Sequence, residues 1–156
     1  MSAKDVGSQT IRFDPAPENP CFGCGGGNPR GMRLAFTGDP GTGRVTGRLF
    51  MSADYQGGGG MLHGGITAVL FDEAMGKLCR FSDARAVTAE LSVEYLKPIR
   101  VNQEIIVEAF ETERKGRQLF HQAEIRNTDG ALLARGKARF VIIDPAKYAE
   151  ANSLQK

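Results

Sequence analysis

The sequence predicts an α+β fold in which an antiparallel sheet of five to six strands wraps around one long helix. Two observations carry this reading. From about Gly64 to Phe81 apolar residues recur at helical spacing around most of the circumference, and the later segments break into short strand-like runs separated by turn residues. A helix that apolar cannot lie open to solvent, so the sheet must cover more than one of its sides. The 156 residues are the size of one domain.

Taken in order, residues 1–20 are polar, carry Pro15, Pro17 and Pro20, and show no periodicity, so they are expected to form a flexible arm. A single domain is expected over 21–144, with 145–156 as a C-terminal tail. "MRLAF" and "RVTGRLFMS" flank the loop "TGDPGTG" and read as a β-hairpin.

In the helix, Ile66, Val69, Leu70, Ala74 and Leu78 stand three to four residues apart, and Phe71, Met75 and Cys79 widen the apolar face. The strand runs after it are "AVTAELSVEYLKPIRV", "QEIIVEAFETER", "RQLFHQAEIRN" and "ALLARGKARFVIID". In the first, Val87, Ala89, Leu91, Val93 and Tyr95 alternate with Thr88, Glu90, Ser92 and Glu94, a period of two. "KGR" at 115–117 and "NTDG" at 127–130 supply the turns.

Composition excludes several classes. Twenty Lys and Arg against 18 Asp and Glu leave a formal charge of +2 without a basic block, so no nucleic-acid partner is expected. No apolar run reaches the roughly 18 residues of a membrane span, and "MSAKDVGSQTIRFDPAPENP" has no apolar secretory core. A cytoplasmic protein without membrane association is expected. Three cysteines make a disulfide framework an unsuitable reading.

The chemistry concentrates in "QGGGGMLHGGITAVLFDEAMG", residues 56–76. Its glycines suggest a phosphate cradle, but no Lys-Ser/Thr pair follows them and no parallel strand unit surrounds them. What is left is a helix start, where unpaired backbone N–H groups face outward. Gly64 and Gly65, lacking Cβ atoms, allow a substrate carbonyl to come close to those groups, as an oxyanion hole requires.

Asp72 and Glu73 then interrupt an apolar run, where carboxylates need a partner or a role. Glu73 has a candidate partner in Lys77 at i,i+4. Both acids facing solvent at a helix flank is the alternative; for Asp72 the catalytic reading is preferred. From His63 to Asp72 the helix turns about 900° and advances roughly 13 Å, so one chain cannot set both on one carbonyl. A two-fold partner can, which predicts a homodimer or a dimer of dimers with the active site between subunits.

"YQGGGGMLHGGITAVLFDEAMG", "TAELSVEYLKPI" and "GKARFVI" together resemble the hotdog-fold acyl-CoA thioesterases of the phenylacetate-pathway type, over about Cys21 to Ile143. The resemblance implies hydrolysis of an acyl-CoA thioester. It implies that the Gly64 N–H polarises the carbonyl, that Asp72 is general base or nucleophile, and that Thr88 holds the attacking water or orients the carboxylate.

By the same resemblance His63 supports the loop and the thioester carbonyl, and the Gln56 amide helps to bind that carbonyl. Relatives of this type commonly have a bulky residue and a proline in the loop where this chain has four consecutive glycines. Substrate binding is assigned further to Gly65 and, for the CoA phosphates, to Lys97, Arg100 and Arg114, from a set of strand-end cations that includes Lys115 and Arg117. Phe50, Tyr55, Met61, Phe71 and Met75 are candidates to meet the acyl tail.

Two other functions share the architecture: a non-hydrolytic acyl-CoA or aromatic ligand-binding protein, and a dehydratase or hydratase acting on acyl thioesters. "CFGCGGGNPRGMRL" resembles the lead-in of a subgroup of the same thioesterases. By spacing, Cys21 and Cys24 are half a zinc site or a redox pair, but Cys79, His63 and His121 do not complete a tetrahedral set by sequence, so structural packing of an N-terminal cap is the preferred reading. No cofactor and no metal are expected. His121 is read as a structural or surface residue.

Overall fold

The structure, a computed structural model, describes residues 9–153. Residues 1–8 of the expected arm and 154–156 of the expected tail lie outside the described residues. The elements run β1 (Ile11–Phe13), β2 (Phe36–Asp39), β3 (Arg44–Met51), α1 (Gly64–Cys79), β4 (Ala86–Tyr95), β5 (Gln103–Lys115), β6 (Gln118–Asn127), β7 (Leu132–Ile142) and α2 (Pro145–Ser153). The strands form one sheet in the order β1-β2-β3-β5-β6-β7-β4, each neighbouring pair antiparallel.

The sheet curves around α1, as the resemblance implies, with seven strands in place of five to six. The additional strand comes from the segment read as a flexible arm. Ile11–Phe13 pair with Phe36–Gly38, and Phe13 is buried with its ring 6.2 Å from that of Phe81. Three residues are too few for alternation to show. The segment read as a tail likewise contains α2, which begins at Pro145 after Asp144 accepts a hydrogen bond from the Ala146 N–H at 3.0 Å.

Thr67, Leu70, Phe71, Ala74, Met75 and Leu78 of α1 are buried, against Val45, Leu49, Ile105, Val107, Ala123, Ile125, Ala138 and Phe140 from the strands. Phe71 and Met75, candidates for the acyl tail, have no exposed surface and belong to this core, while Phe50 is 62% exposed. No helix among the described residues is long and apolar enough to cross a membrane.

Strand β4 departs from the expected alternation. Its pairing with β7 slips between Thr88 and Glu90, leaving Ala89 unpaired in a β-bulge. Beyond the bulge, Leu91 and Val93 pack against the core, whereas Thr88 takes the place on that face that an unbroken period of two assigns to Ala89. One inserted residue therefore turns Thr88 toward α1.

His121, buried on β6, sits between two acceptors, with Nδ1 2.9 Å from the Met75 carbonyl and Nε2 3.2 Å from the Glu111 carboxylate. Burial draws the imidazole below its usual pKa, against the opposing attraction of Glu111. Burial pushes the Glu111 carboxyl up, but hydrogen bonds from Arg114 and His121 outweigh it and hold it below its ordinary value.

Both groups bind protons more readily in the unfolded chain, so both stabilise the fold at neutral pH and withdraw that contribution as acid is added. The melting temperature is expected to fall as the pH drops through about 6.5, the ordinary histidine value, and further as it passes through the carboxylate range. His121→Gln should flatten the upper part of the profile and leave the lower part. An unchanged upper part in that variant would contradict the assignment.

Candidate active site

Helix α1 starts at Gly64 behind an N-cap from His63, whose Nδ1 accepts the Gly65 N–H at 2.9 Å. Ile66 and Thr67 donate to the His63 carbonyl. The Gly64 N–H donates to no group among the described residues. Of the two glycines assigned to the substrate, Gly65 is thus occupied by the cap and Gly64 has an amide to offer.

Upstream, the glycine run is a tight hairpin. The Gly57 N–H donates to the Met61 carbonyl at 2.8 Å, Gln56 bridges to Leu62, and Gly59 and Gly60 have φ of 62° and 75°, which only glycine adopts without strain. The hairpin holds Gln56 beside His63. Both line an open groove of about 390 Å³ with Asp54, Tyr55, Gly65, Ile66 and Val69. Ile66 and Val69 give it an apolar floor, which is why they are only half-buried.

Gly65, Val69 and Asp72 are spaced by four and three residues and share one helical face. Asp72 lies along that face and accepts a hydrogen bond from Thr88 Oγ1 at 2.6 Å. Glu73, one residue on, turns away to Lys77 at 3.3 Å, as the i,i+4 spacing predicts. The two adjacent carboxylates therefore serve different sides of the helix.

Tyr95, at the far end of β4, was not among the candidates. Its hydroxyl donates to the Gly64 carbonyl at 2.6 Å, and a Cβ added at Gly64 would stand 3.2 Å from that oxygen. β4 thus holds both ends of the site, Tyr95 the helix start and Thr88 the acid. The exposed aromatic closing "TAELSVEY" was the available signal, but the alternation placed it only among strand residues.

The three cations do not converge within one chain. Lys97 lines a groove of about 250 Å³ with Met61, Leu62, Thr67 and Tyr95 near the helix start, and Arg100 stands beside it, bridged to Met61. Arg114 is near the other end of α1, where it donates to Glu111 at 3.1 and 3.2 Å and to Ser82 at 3.0 Å. Those bonds use three of the five N–H donors of its guanidinium and hold it at the end of α1 away from the helix start.

A family model described as the thioesterase superfamily matches residues 59–134, the span from the glycine hairpin into β7. The rat acyl-coenzyme A thioesterase THEM4 is 36% identical over 93 residues, covering 59% of this chain and 40% of that protein. This chain therefore spans well under two thirds of that relative. A crystal structure described as protein RHA08564, a thioesterase superfamily protein, superposes with a TM-score of 0.67 at 26% identity over 72% of this chain and 55% of that one. The E. coli PaaI protein of the phenylacetic acid degradation operon superposes at 0.62 and 20% identity, over 65% of this chain and 74% of that one, a likeness of fold.

Proposed function

We propose that the chain is a member of the thioesterase superfamily, a reading supported by the family model over residues 59–134 and by the relatives it resembles, and that it hydrolyses the thioester bond of an acyl- or aryl-CoA to the free acid and CoA. The observation that carries the reading is the pair of functional ends on α1: an unpartnered Gly64 N–H at its start and an Asp72 carboxylate oriented by Thr88 farther along. The carbonyl oxygen docks at the Gly64 N–H, whose position at the positive end of the helix favours the negative charge that develops there. Asp72 either takes a proton from the attacking water or attacks the carbonyl itself.

Eight residues along a helix are about 12 Å, too far for Gly64 and Asp72 of one chain to act on one carbonyl. The reading therefore places two chains around each site. β4 has β7 on one side and no strand on the other among the described residues, an edge suited to pairing with a second copy. Across that interface the helix start, Gln56 and His63 of one subunit face Asp72 and Thr88 of the other. Lys97 and Arg100 lie near the helix start and are the cations retained for the CoA phosphates.

Free-thiol release from short, medium, long and aryl acyl-CoAs tests the proposal and identifies the acyl class. Absence of turnover with retained acyl-CoA binding would replace it with the ligand-binding reading. Thr88→Val removes one hydrogen bond to a charged group, roughly 1.5–3 kcal/mol, so kcat should drop by about tenfold or more. Thr88→Ser should restore most of it. A Val variant with full kcat would show that Thr88 does not orient the acid.

A further inference from the structure

We infer that Cys21, Cys24 and Glu73 form a binding site for a single thiophilic divalent cation, zinc, that clips the N-terminal loop to α1. The sulfurs of both cysteines and one carboxylate oxygen of Glu73 lie within 4.8 Å of one another. Cys21 Sγ stands 3.4 Å from Glu73 Oε1. Zinc bonds of about 2.3 Å to sulfur and 2.1 Å to oxygen at a tetrahedral angle set such atoms about 3.6 Å apart, so this edge of the site is nearly in place.

The surroundings are built for a cation in the same way. Glu73 directs Oε1 to Cys21 Sγ and Oε2 to Lys77 Nζ at 3.3 Å, leaving one oxygen for the metal and a cation on the other. Two thiolates and a carboxylate around zinc carry one net negative charge, and the buried Lys77 ammonium neutralises it. The Asn19 side chain accepts from the Cys21 N–H at 3.0 Å and directs its amide nitrogen toward Cys24 Sγ at 3.9 Å.

The loop itself is a tight Cys-x-x-Cys-Gly turn, closed by a hydrogen bond from the Gly25 N–H to the Cys21 carbonyl at 3.0 Å. A Cβ at Gly25 would lie 2.2 Å from the Asn19 carbonyl oxygen, and one at Gly23 would lie 2.3 Å from Glu73 Oε1. Glycine at both positions lets the loop press its sulfurs against the helix. Three protein ligands leave the fourth position to water. Thiolate ligands favour zinc over magnesium or calcium.

The test uses the full chain, purified with reductant, and reads metal directly, so its outcome is independent of any thioesterase activity. Elemental analysis after zinc loading should give one zinc per chain. Cobalt(II) in its place should give a thiolate-to-cobalt charge-transfer band that saturates at one equivalent. Cys21→Ser and Cys24→Ser should abolish the band. Glu73→Gln should weaken cobalt binding at least tenfold, and Lys77→Met, acting from outside the ligand set, by roughly 10- to 100-fold.

Chelation and refilling of the wild type requires no substitution, and zinc should raise its melting temperature. A reduced wild type with no band at one equivalent, a band that persists in Cys24→Ser, or a melting temperature indifferent to zinc would each overturn the assignment.

Discussion

Asp72→Asn is expected to lower kcat for acyl-CoA hydrolysis by about 10²- to 10⁴-fold, the usual contribution of a positioned general base, while leaving the fold and the oligomer intact. The amide has nearly the shape of the carboxylate and its oxygen can still accept from Thr88 Oγ1, whose bond to Asp72 is 2.6 Å in the native chain. What it cannot do is take a proton or attack a carbonyl. Asp72→Ala should lose as much activity, and Thr88→Val less, because threonine acts through the acid. Thiol release at the wild-type rate from both Asp72 variants would remove Asp72 from the mechanism.

Subunit mixing separates a shared site from a private one. Asp72→Asn and Gly64→Val should each be inactive alone, the second because a side chain there crowds the approach of the carbonyl and the Tyr95 hydroxyl, 3.2 Å from a Cβ at that position. In a mixed dimer, one of the two sites pairs a native helix start with a native Asp72, so activity should return on mixing. Mixtures that stay inactive while exchanging subunits would confine the site to one chain.

The helix and its neighbours were legible because their signals are local. Apolar spacing of three and four marks α1, Asp-Gly at 129–130 marks the β6–β7 turn, and the Glu73–Lys77 pair follows from i,i+4 geometry. The rest depends on events that leave no periodic trace. A single unpaired residue, Ala89, turns Thr88 to the face of Leu91 and Val93, whereas strict alternation sets it on the opposite face; its role was reached through resemblance.

Long-range partners were equally hidden. Glu73 lies 52 positions from Cys21, and nothing in the sequence joins an acid with an evident lysine partner to a distant Cys-x-x-Cys. The resemblance gives His63 as support for the loop, but spacing does not reveal that its ring takes the Gly65 amide and that the Gly64 amide has no partner among the described residues. The lesson is one of range: contacts within four residues of helix or across a short turn can be read directly, and contacts made by packing cannot.

The second large effect concerns Phe71, which precedes Asp72 and fixes the rotation of α1 against the sheet. Its ring rests on Gly136 of β7, where an added Cβ would come within 2.7 Å of Phe71 Cγ. Phe71 is wholly buried, so Phe71→Ala should cost about 3–5 kcal/mol of stability, measured by denaturant unfolding. Gly136→Ala brings two opposing terms. Replacing glycine within a strand gains roughly 0.5–1 kcal/mol from backbone entropy, while overpacking a closed core costs typically 1–3 kcal/mol, and a ring anchored at its base cannot retreat as a flexible chain end would. The net change should therefore be destabilising. Phe71→Leu in the Gly136→Ala background should give a double variant more stable than the sum of the singles by about 0.5 kcal/mol or more, and strict additivity would show that the two residues do not constrain each other. Because the displaced ring sits next to Asp72 in the chain, Gly136→Ala should also lower kcat by more than its unfolded fraction explains; a shift of about 1 Å at a catalytic group can cost on the order of 10²-fold. If Gly136→Ala retained full kcat despite lost stability, the position of Asp72 would depend on the Thr88 bond and not on the packing beneath it.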